Sequence, residues 1–305
     1  MAEQFLLKNI FNSTLLERLT NNITKAWHGF PAQEFLGSTL PNFEPLSLTG
    51  RANLIADALE VLLPKDYAKA IKIIENAFEP ENPDNQIDGY GGFLYMPFSI
   101  YIYRNGLGHF NESMHAMYEL TKRFTAEFAI RTFIENHYEK TMQTLHTWAF
   151  DKNVHVRRLV SEGTRPRLPW APRLPKFVKD PGPVIELLDK LKEDPELYVR
   201  RSVANNLNDI AKDNPQQVLT LLAHWNQLKN NGTKWIVKHA TRTLIKQGYT
   251  DALTLLGHNP EVVFEVTCFT VDAKVKIGQA VSFAFTISNP GNETIDLLID
   301  YILHF

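Results

Sequence analysis

Asp151-Lys-Asn-Val-His-Val-Arg-Arg-Leu-Val (151–160) is echoed by Asp194-Pro-Glu-Leu-Tyr-Val-Arg-Arg-Ser-Val (194–203), 43 residues later. A weaker third copy, Lys234-Trp-Ile-Val-Lys-His-Ala-Thr-Arg (234–242), comes about 38 residues further on. The apolar residues of each copy fall at helical spacing, and a period near 40 residues built from short helices is what HEAT or armadillo arrays show. One such helix pair cannot bury its apolar face alone, so neighbours stack into a superhelix with a concave surface. The expected fold is all-α, a HEAT-like α-solenoid. The repeat speaks to architecture and is silent about chemistry.

Helical periodicity extends outward from the repeats, from residue 1 to about 257. Leu54, Ala58, Leu59, Leu62 and Leu63 form an apolar stripe, a second helix follows at 67–77, and helices resume through 113–150. Residues 79–92 (EPENPDNQIDGYGG) are rich in turn formers and read as a loop. The most apolar run, FLYMPFSIYIY at 93–103, is too short to span a bilayer and is expected in the core. After His258-Asn-Pro the period changes: 262–270, 280–288 and 294–304 read as strands, separated by Gly278 and by Asn289-Pro-Gly-Asn-Glu. The expected organisation is a helical repeat domain over 1–257 and a β-rich C-terminal segment over 262–305. That segment has too few strands to close an immunoglobulin-like sandwich and is expected to be an incomplete one.

A net charge of −2 looks wrong for a nucleic-acid binder until the charge is located. Residues 151–250 hold 18 Lys/Arg against 10 Asp/Glu, leaving the remainder of the chain at −10. A basic segment in an otherwise acidic chain marks a positively charged working face, the alternative being uneven solvated charge. The single cysteine, Cys268, cannot form an internal disulfide, and the N-terminus MAEQFLLKN lacks the pattern of a signal peptide, so a cytoplasmic location is expected. The ten histidines show neither HExxH nor Cys/His spacing, so neither a metal nor a cofactor is expected. GYGG at 89–92 is too short to be a phosphate loop.

Candidate chemistry lies on the polar faces of the repeat helices. Val156, Leu159 and Val160 face the core, while Arg158 and Glu162, four apart, project together from the opposite side, and Gly163 reads as the C′ residue that caps the helix from beyond its end. In the second copy Arg201, Asn205 and Asp209 share one face, and Val199, Val203 and Leu207 form the buried stripe. Taken singly, each arginine–acid pair could be an exposed ion pair contributing a few tenths of a kcal/mol. Their repetition on adjacent repeats favours a shared site. Between the repeats lies Arg165-Pro-Arg-Leu-Pro-Trp-Ala-Pro-Arg-Leu-Pro (165–175), whose prolines recur every three residues and favour a stiff polyproline-II-like path. Trp170, among Arg165, Arg167 and Arg173, could stack on a nucleotide or simply plug an inter-repeat gap. Trp235 reads as core; His239 is open.

LVSEGTRPRLPWAPRLPKF (159–177), DPELYVRRSVANNLNDIAKDNP (194–215) and WIVKHATRTLIKQG (235–248) together resemble the AlkC branch of the AlkC/AlkD DNA-alkylation-repair proteins. LTGRANLIADALEVLLPKDYAKA (48–70) has the same flavour. The resemblance implies a DNA glycosylase that excises cationic alkylated bases, chiefly N3-methyladenine, from double-stranded DNA, acting without a membrane and as a monomer. It implies a catalytic group of Glu162, Asp209, Glu127 (in TAEFAIRTF) and Trp170, with Arg158, Arg165, Arg200, Arg201, Lys238 and Arg242 gripping phosphates. The chemistry agrees: a cationic purine is already a good leaving group, so the site must stabilise an oxocarbenium-like sugar and deliver water. The rival reading is a non-catalytic HEAT-repeat scaffold or DNA-binding protein.

Overall fold

The computed structural model describes residues 6–81, 91–259, 261–292, 294–295, 297, 299 and 301–302. Its N-terminal part runs through α1 (Ser13–Ala26), α2 (Ala32–Thr39), α3 (Leu48–Leu62), α4 (Tyr67–Asn76), α5 (Met96–Asn105), α6 (Phe110–Thr121), α7 (Glu127–Asn136) and α8 (Tyr138–Trp148). The repeat region continues with α9 (Val154–Gly163), α10 (Pro175–Lys179), α11 (Gly182–Leu191), α12 (Leu197–Ile210), α13 (Pro215–Asn226), α14 (Asn231–Ala240), α15 (Arg242–Lys246) and α16 (Thr250–Leu255). The architecture is the all-α solenoid that the repeat implies. Among the described residues no helix is long and apolar enough to cross a membrane.

Packing is between neighbours. One row runs α3–α5–α7–α9–α12–α14, each helix resting on the next, and a second row containing α4, α6, α8, α11 and α13 backs it. The stripe that drives this is the expected one: Val156, Leu159 and Val160 of α9, Val199, Val203 and Leu207 of α12, and Ile236 and Val237 of α14 are all at most 1 % exposed. The run at 93–103 is core, as expected, with Leu94, Phe98 and Ile102 buried.

The repeated Val-Arg-Arg divides its two arginines between two jobs. Arg157 reaches Asp194 of the next repeat through Nε at 2.6 Å and Nη2 at 3.1 Å, and donates to the Asp151 carbonyl at 2.9 Å. Arg200 repeats the motion one repeat on, donating to the Asp194 and Pro195 carbonyls. In both copies the first arginine ties down the loop ahead of its own helix, and in the first copy it also spans to the next repeat. The second, Arg158 or Arg201, is left for the opposite face.

Three local expectations are corrected. Gly163 is the last residue of α9, not a left-handed cap beyond it. A Cβ there would lie 2.5 Å from Cγ2 of Ile130 on α7, so the requirement for glycine comes from the close approach of two helices. The 165–175 segment is not an extended polyproline path: it folds back on itself, with the Leu174 amide donating to the Pro166 carbonyl at 3.1 Å. The reversal passes through Trp170, whose φ of 65° lies in the left-handed region. Finally, the second C-terminal strand begins at Phe283 rather than at 280.

β1 (Glu265–Val271) and β2 (Phe283–Ser288) pair antiparallel, Glu265 opposite Ser288 and Val271 opposite Phe283, with an irregularity between Thr267 and Thr270. Much of the third expected strand, 294–304, lies outside the described residues.

The contact at Gly163 yields a direct expectation. Gly163→Ala should destabilise the protein by about 1–3 kcal/mol, because the added methyl overpacks the α7–α9 crossing. Ile130→Leu, which removes the β-branched methyl in its way, should recover part of that loss in urea denaturation.

Candidate active site

Three acidic side chains converge where α7, α9 and α12 meet the 165–174 loop. Glu162, at the end of α9, is 6 % exposed. Its Oε1 receives Arg165 Nη1 at 2.6 Å and lies 3.6 Å from Arg158 Nη2, while Oε2 accepts the Ser202 hydroxyl at 2.6 Å. Arg158 also donates to Glu127 Oε2 at 3.1 Å, so one guanidinium bridges two carboxylates from adjacent helices. Its charge lies 5.2 Å from the centre of the Tyr198 ring. The helical i, i+4 pairing of Arg158 with Glu162 stands as the sequence implied.

Asp209 closes the group from α12. Arg165 meets its Oδ2 through Nε at 2.8 Å and Nη2 at 2.7 Å, and Lys212 meets Oδ1 at 3.0 Å. Arg158, Arg165 and Lys212 therefore face Glu127, Glu162 and Asp209, three charges against three, which is what lets them be buried. Burial pushes the Glu162 carboxyl upward, but Arg158, Arg165 and the Ser202 hydroxyl outweigh it, leaving the group below its ordinary range. Glu162 is ionised at neutral pH.

A cleft of about 590 Å³ opens in front of this cluster, running from α3 across α5 and α7 to the 165–174 loop. Glu127, Glu162, Arg165 and Trp170 line it, with Phe124, Phe128 and Tyr103 among its walls. Asp209 is absent from the lining; it acts on the cleft through Arg165. The carboxylates also differ in what remains open. Both oxygens of Glu162 and of Asp209 are engaged, whereas Glu127 Oε2 takes Thr125 and Arg158 and its Oε1 has no hydrogen-bond partner among the described residues.

Trp170 is 83 % exposed, so it is no packing plug. Its loop is pinned by a residue the sequence reading missed. Arg131 of α7, 4 % exposed, donates to the carbonyls of Gly163 at 3.3 Å, Arg165 at 2.6 Å and Pro172. Those acceptors sit at the end of α9 and on both limbs of the loop. Desolvation lowers the Arg131 pKa to about 10, still protonated at neutral pH. The signal was an arginine inside an otherwise apolar helix face, Ala129-Ile130-Arg131-Thr132-Phe133.

The expected phosphate-gripping set divides. Arg165 is 8 % exposed and consumed by its two carboxylates, Arg158 bridges Glu127 and Glu162, and Arg200 holds the Asp194 and Pro195 carbonyls. These three hold protein groups. Arg201 and Lys238 are exposed, with no side-chain hydrogen bond or ion pair among the described residues. Arg242 is half-buried, donating to Asn205 Oδ1 at 3.0 Å and to the His239 carbonyl. His239 stacks on Trp235 at 4.8 Å beside them. Among the described residues no cluster of His, Cys, Asp and Glu is arranged to hold a metal ion.

This geometry has known counterparts. The sequence pattern of the DNA alkylation repair enzyme family matches residues 124–244, the span that contains the acidic cluster, the loop and the basic face. Pseudomonas fluorescens alkylpurine DNA glycosylase AlkC, bound to DNA containing an abasic site analog, is similar in structure, with a TM-score of 0.83 and 36 % identity over 93 % of this chain and 77 % of that one. This chain belongs to the DNA alkylation repair enzyme family, in its AlkC branch. The Bacillus subtilis (strain 168) protein YhaZ, described only as uncharacterized, is 36 % identical over 98 % of this chain and 81 % of its own length. The family span begins at Phe124, within the cleft wall, although α3 and α5 also line the cleft.

Arg131→Lys keeps the charge but cannot serve three carbonyls from one ammonium. Trypsin should then cut the loop after Arg173 faster than in the parent protein, and stability should fall by about 1–3 kcal/mol, the cost of stranded buried acceptors. An unchanged digestion rate would remove Arg131 from the loop's support.

Proposed function

We propose that the protein is a DNA glycosylase that hydrolyses the N-glycosidic bond of cationic alkylated purines, chiefly N3-methyladenine, in double-stranded DNA. The observation that carries this reading is the pair Glu127 and Glu162 on one cleft, beside an exposed tryptophan, with no hydrogen-bond partner at Glu127 Oε1 among the described residues. The likeness to a DNA-bound alkylpurine glycosylase supports it. The helical segment 1–257 is assigned as the catalytic domain.

A methylated purine carries its positive charge before reaction, so its departure needs no proton. What the reaction needs is negative charge beside a sugar that becomes cationic, and a positioned water. Glu162, held ionised by Arg158 and Arg165, supplies fixed negative potential. Glu127, which lines the cleft and whose Oε1 has no hydrogen-bond partner among the described residues, accepts a proton from the attacking water. Arg165 and Asp209 are positioning residues: they fix Glu162 and do not touch the sugar. Trp170 stacks on the nucleotide, and the left-handed backbone at its position aims the ring outward. Arg201, Lys238 and Arg242 hold phosphates. A scaffold that merely binds DNA gains nothing from two acidic side chains lining the surface that meets it.

Catalysis and binding are separable. Glu127→Gln and Glu162→Gln each preserve shape while deleting charge, and each should slow single-turnover excision of 3-methyladenine by about two orders of magnitude or more, with DNA binding held or slightly tightened. The measurement is released base by mass spectrometry against binding isotherms on the same duplex. Wild-type rates in both variants would leave the scaffold reading in place.

Affinity responds to the other residues. Arg201→Ala or Lys238→Ala should weaken binding to any duplex and flatten its log–log salt dependence by about one unit for each phosphate left without its cation. Arg200→Ala should lower stability without changing that slope.

A further inference from the structure

The second arginine of the repeated Val-Arg-Arg has a counterpart in the third copy, and it is a histidine. The buried residues Val156, Val199 and Val237 set α9, α12 and α14 in register, and so do Leu159, Ser202 and Ala240, three positions on. That register puts His239 of α14 where α9 has Arg158 and α12 has Arg201. The ring is held in place: it stacks on Trp235, one turn earlier on the same helix, with centres 4.8 Å apart and planes 14° from parallel. It is half-buried, yet neither nitrogen has a hydrogen-bond partner among the described residues, and neither is sealed from solvent. The charges acting on it are of one sign. Arg201 of α12 and Arg242 of α15 both repel a proton there, and Lys234 and Lys238 stand on its own helix. Behind it, α13 carries one titratable group, His224, which does not act on the ring. Burial first, then Arg242 and Arg201, hold His239 below the ordinary histidine range, so it is neutral at neutral pH.

From this we infer that His239 is a further DNA contact, which binds a backbone phosphate as the imidazolium and takes its proton from solution when DNA binds. The inference rests on the DNA-binding half of the reading above. Part of what keeps the proton off the free ring is repulsion from two arginines, and a phosphate set among them cancels that repulsion and adds attraction of its own. The stacked Trp235 face favours the charged ring further, as a cation–π contact. Linkage then works both ways: if DNA raises the ring's affinity for a proton, protons raise the protein's affinity for DNA by the same factor. Affinity is highest at pH below the pKa of the free ring, falls as pH rises from there to the pKa of the bound ring, and levels off above it. A rise of about one pKa unit on binding makes the two levels differ about tenfold. Arg201, always protonated, grips at any pH; the histidine at the same repeat position makes its grip conditional.

The test uses the full chain and an unmodified duplex, at fixed ionic strength, over about pH 5.5 to 8.5, the range in which a histidine titrates. Wild-type affinity should fall about tenfold across that range, and its log–log salt dependence should be steeper by about one unit at the acid end, where one more cation meets a phosphate. Calorimetric titrations in buffers of different ionisation heat should register proton uptake between those limits. In His239→Gln binding should stay at the high-pH level and the uptake should vanish. In His239→Arg, which restores the residue of the other two copies, it should stay at the low-pH level throughout. If His239→Gln takes up as many protons as the wild type, or if wild-type affinity is flat with pH, the assignment is overturned; release of 3-methyladenine from alkylated DNA by the same preparation then leaves the glycosylase reading standing without it. If uptake depends on His239 but no base is released, the assignment stands and the glycosylase reading gives way to a DNA-binding protein. A wild-type chain that binds no duplex overturns both.

Discussion

Arg165 lies between Glu162 of one repeat and Asp209 of the next, touching both and nearly out of solvent. A buried charge of this kind tolerates no vacancy: removing one partner typically costs about 3–5 kcal/mol, because the survivor stays desolvated and unpaired. The consequence here is geometric. Glu162 can face the cleft as an ionised group only because Arg165, Arg158 and Ser202 together outweigh its burial, and Arg165 can be buried only because Asp209 and Lys212 complete the balance. The site is therefore built across the repeat interface and inherits its rigidity.

The loop that follows Arg165 depends on the same anchor. Its backbone turns back through Trp170 in a conformation that costs a bulky residue of order 1–3 kcal/mol and persists only where the surroundings over-determine it. Arg131 provides that constraint by holding carbonyls on both limbs, and Arg167 adds a pairing with Asp213. A mostly exposed tryptophan on so firmly tied a loop is preorganised to meet something outside the protein.

The division among the arginines follows from the register of a helix. Adjacent residues on a helix point about 100° apart, so the two members of each Arg-Arg pair cannot share a face. Arg157 and Arg200 turn back to hold the loops ahead of their own helices, Arg157 also pairing with Asp194 of the next repeat, while Arg158 and Arg201 turn toward the other surface. Arg158 then meets Glu162 and Glu127. Arg201 has Asn205 four residues on, where α9 has Glu162, so it stays exposed. One position in the repeat thus serves ion pairing in one copy and is free to meet phosphate in the next.

The sequence by itself determined the solenoid, the buried stripes of α9 and α12, the pairing of Arg158 with Glu162 and the basic character of 151–250, because each depends on spacing along one helix or on composition. It also brought Glu127, Glu162, Asp209 and Trp170 to attention through their setting in a recognisable pattern. Only the tertiary structure decided which of these face the cleft, that Asp209 acts through Arg165, that Arg158, Arg165 and Arg200 hold protein groups, and that Arg131 secures the loop. Those outcomes depend on meetings such as Arg165 with Asp209, Arg131 with Pro172 and Gly163 with Ile130, between residues more than 30 positions apart. No local period encodes such pairings. They exist only once neighbouring helices have packed and their charges and carbonyls must find partners away from water.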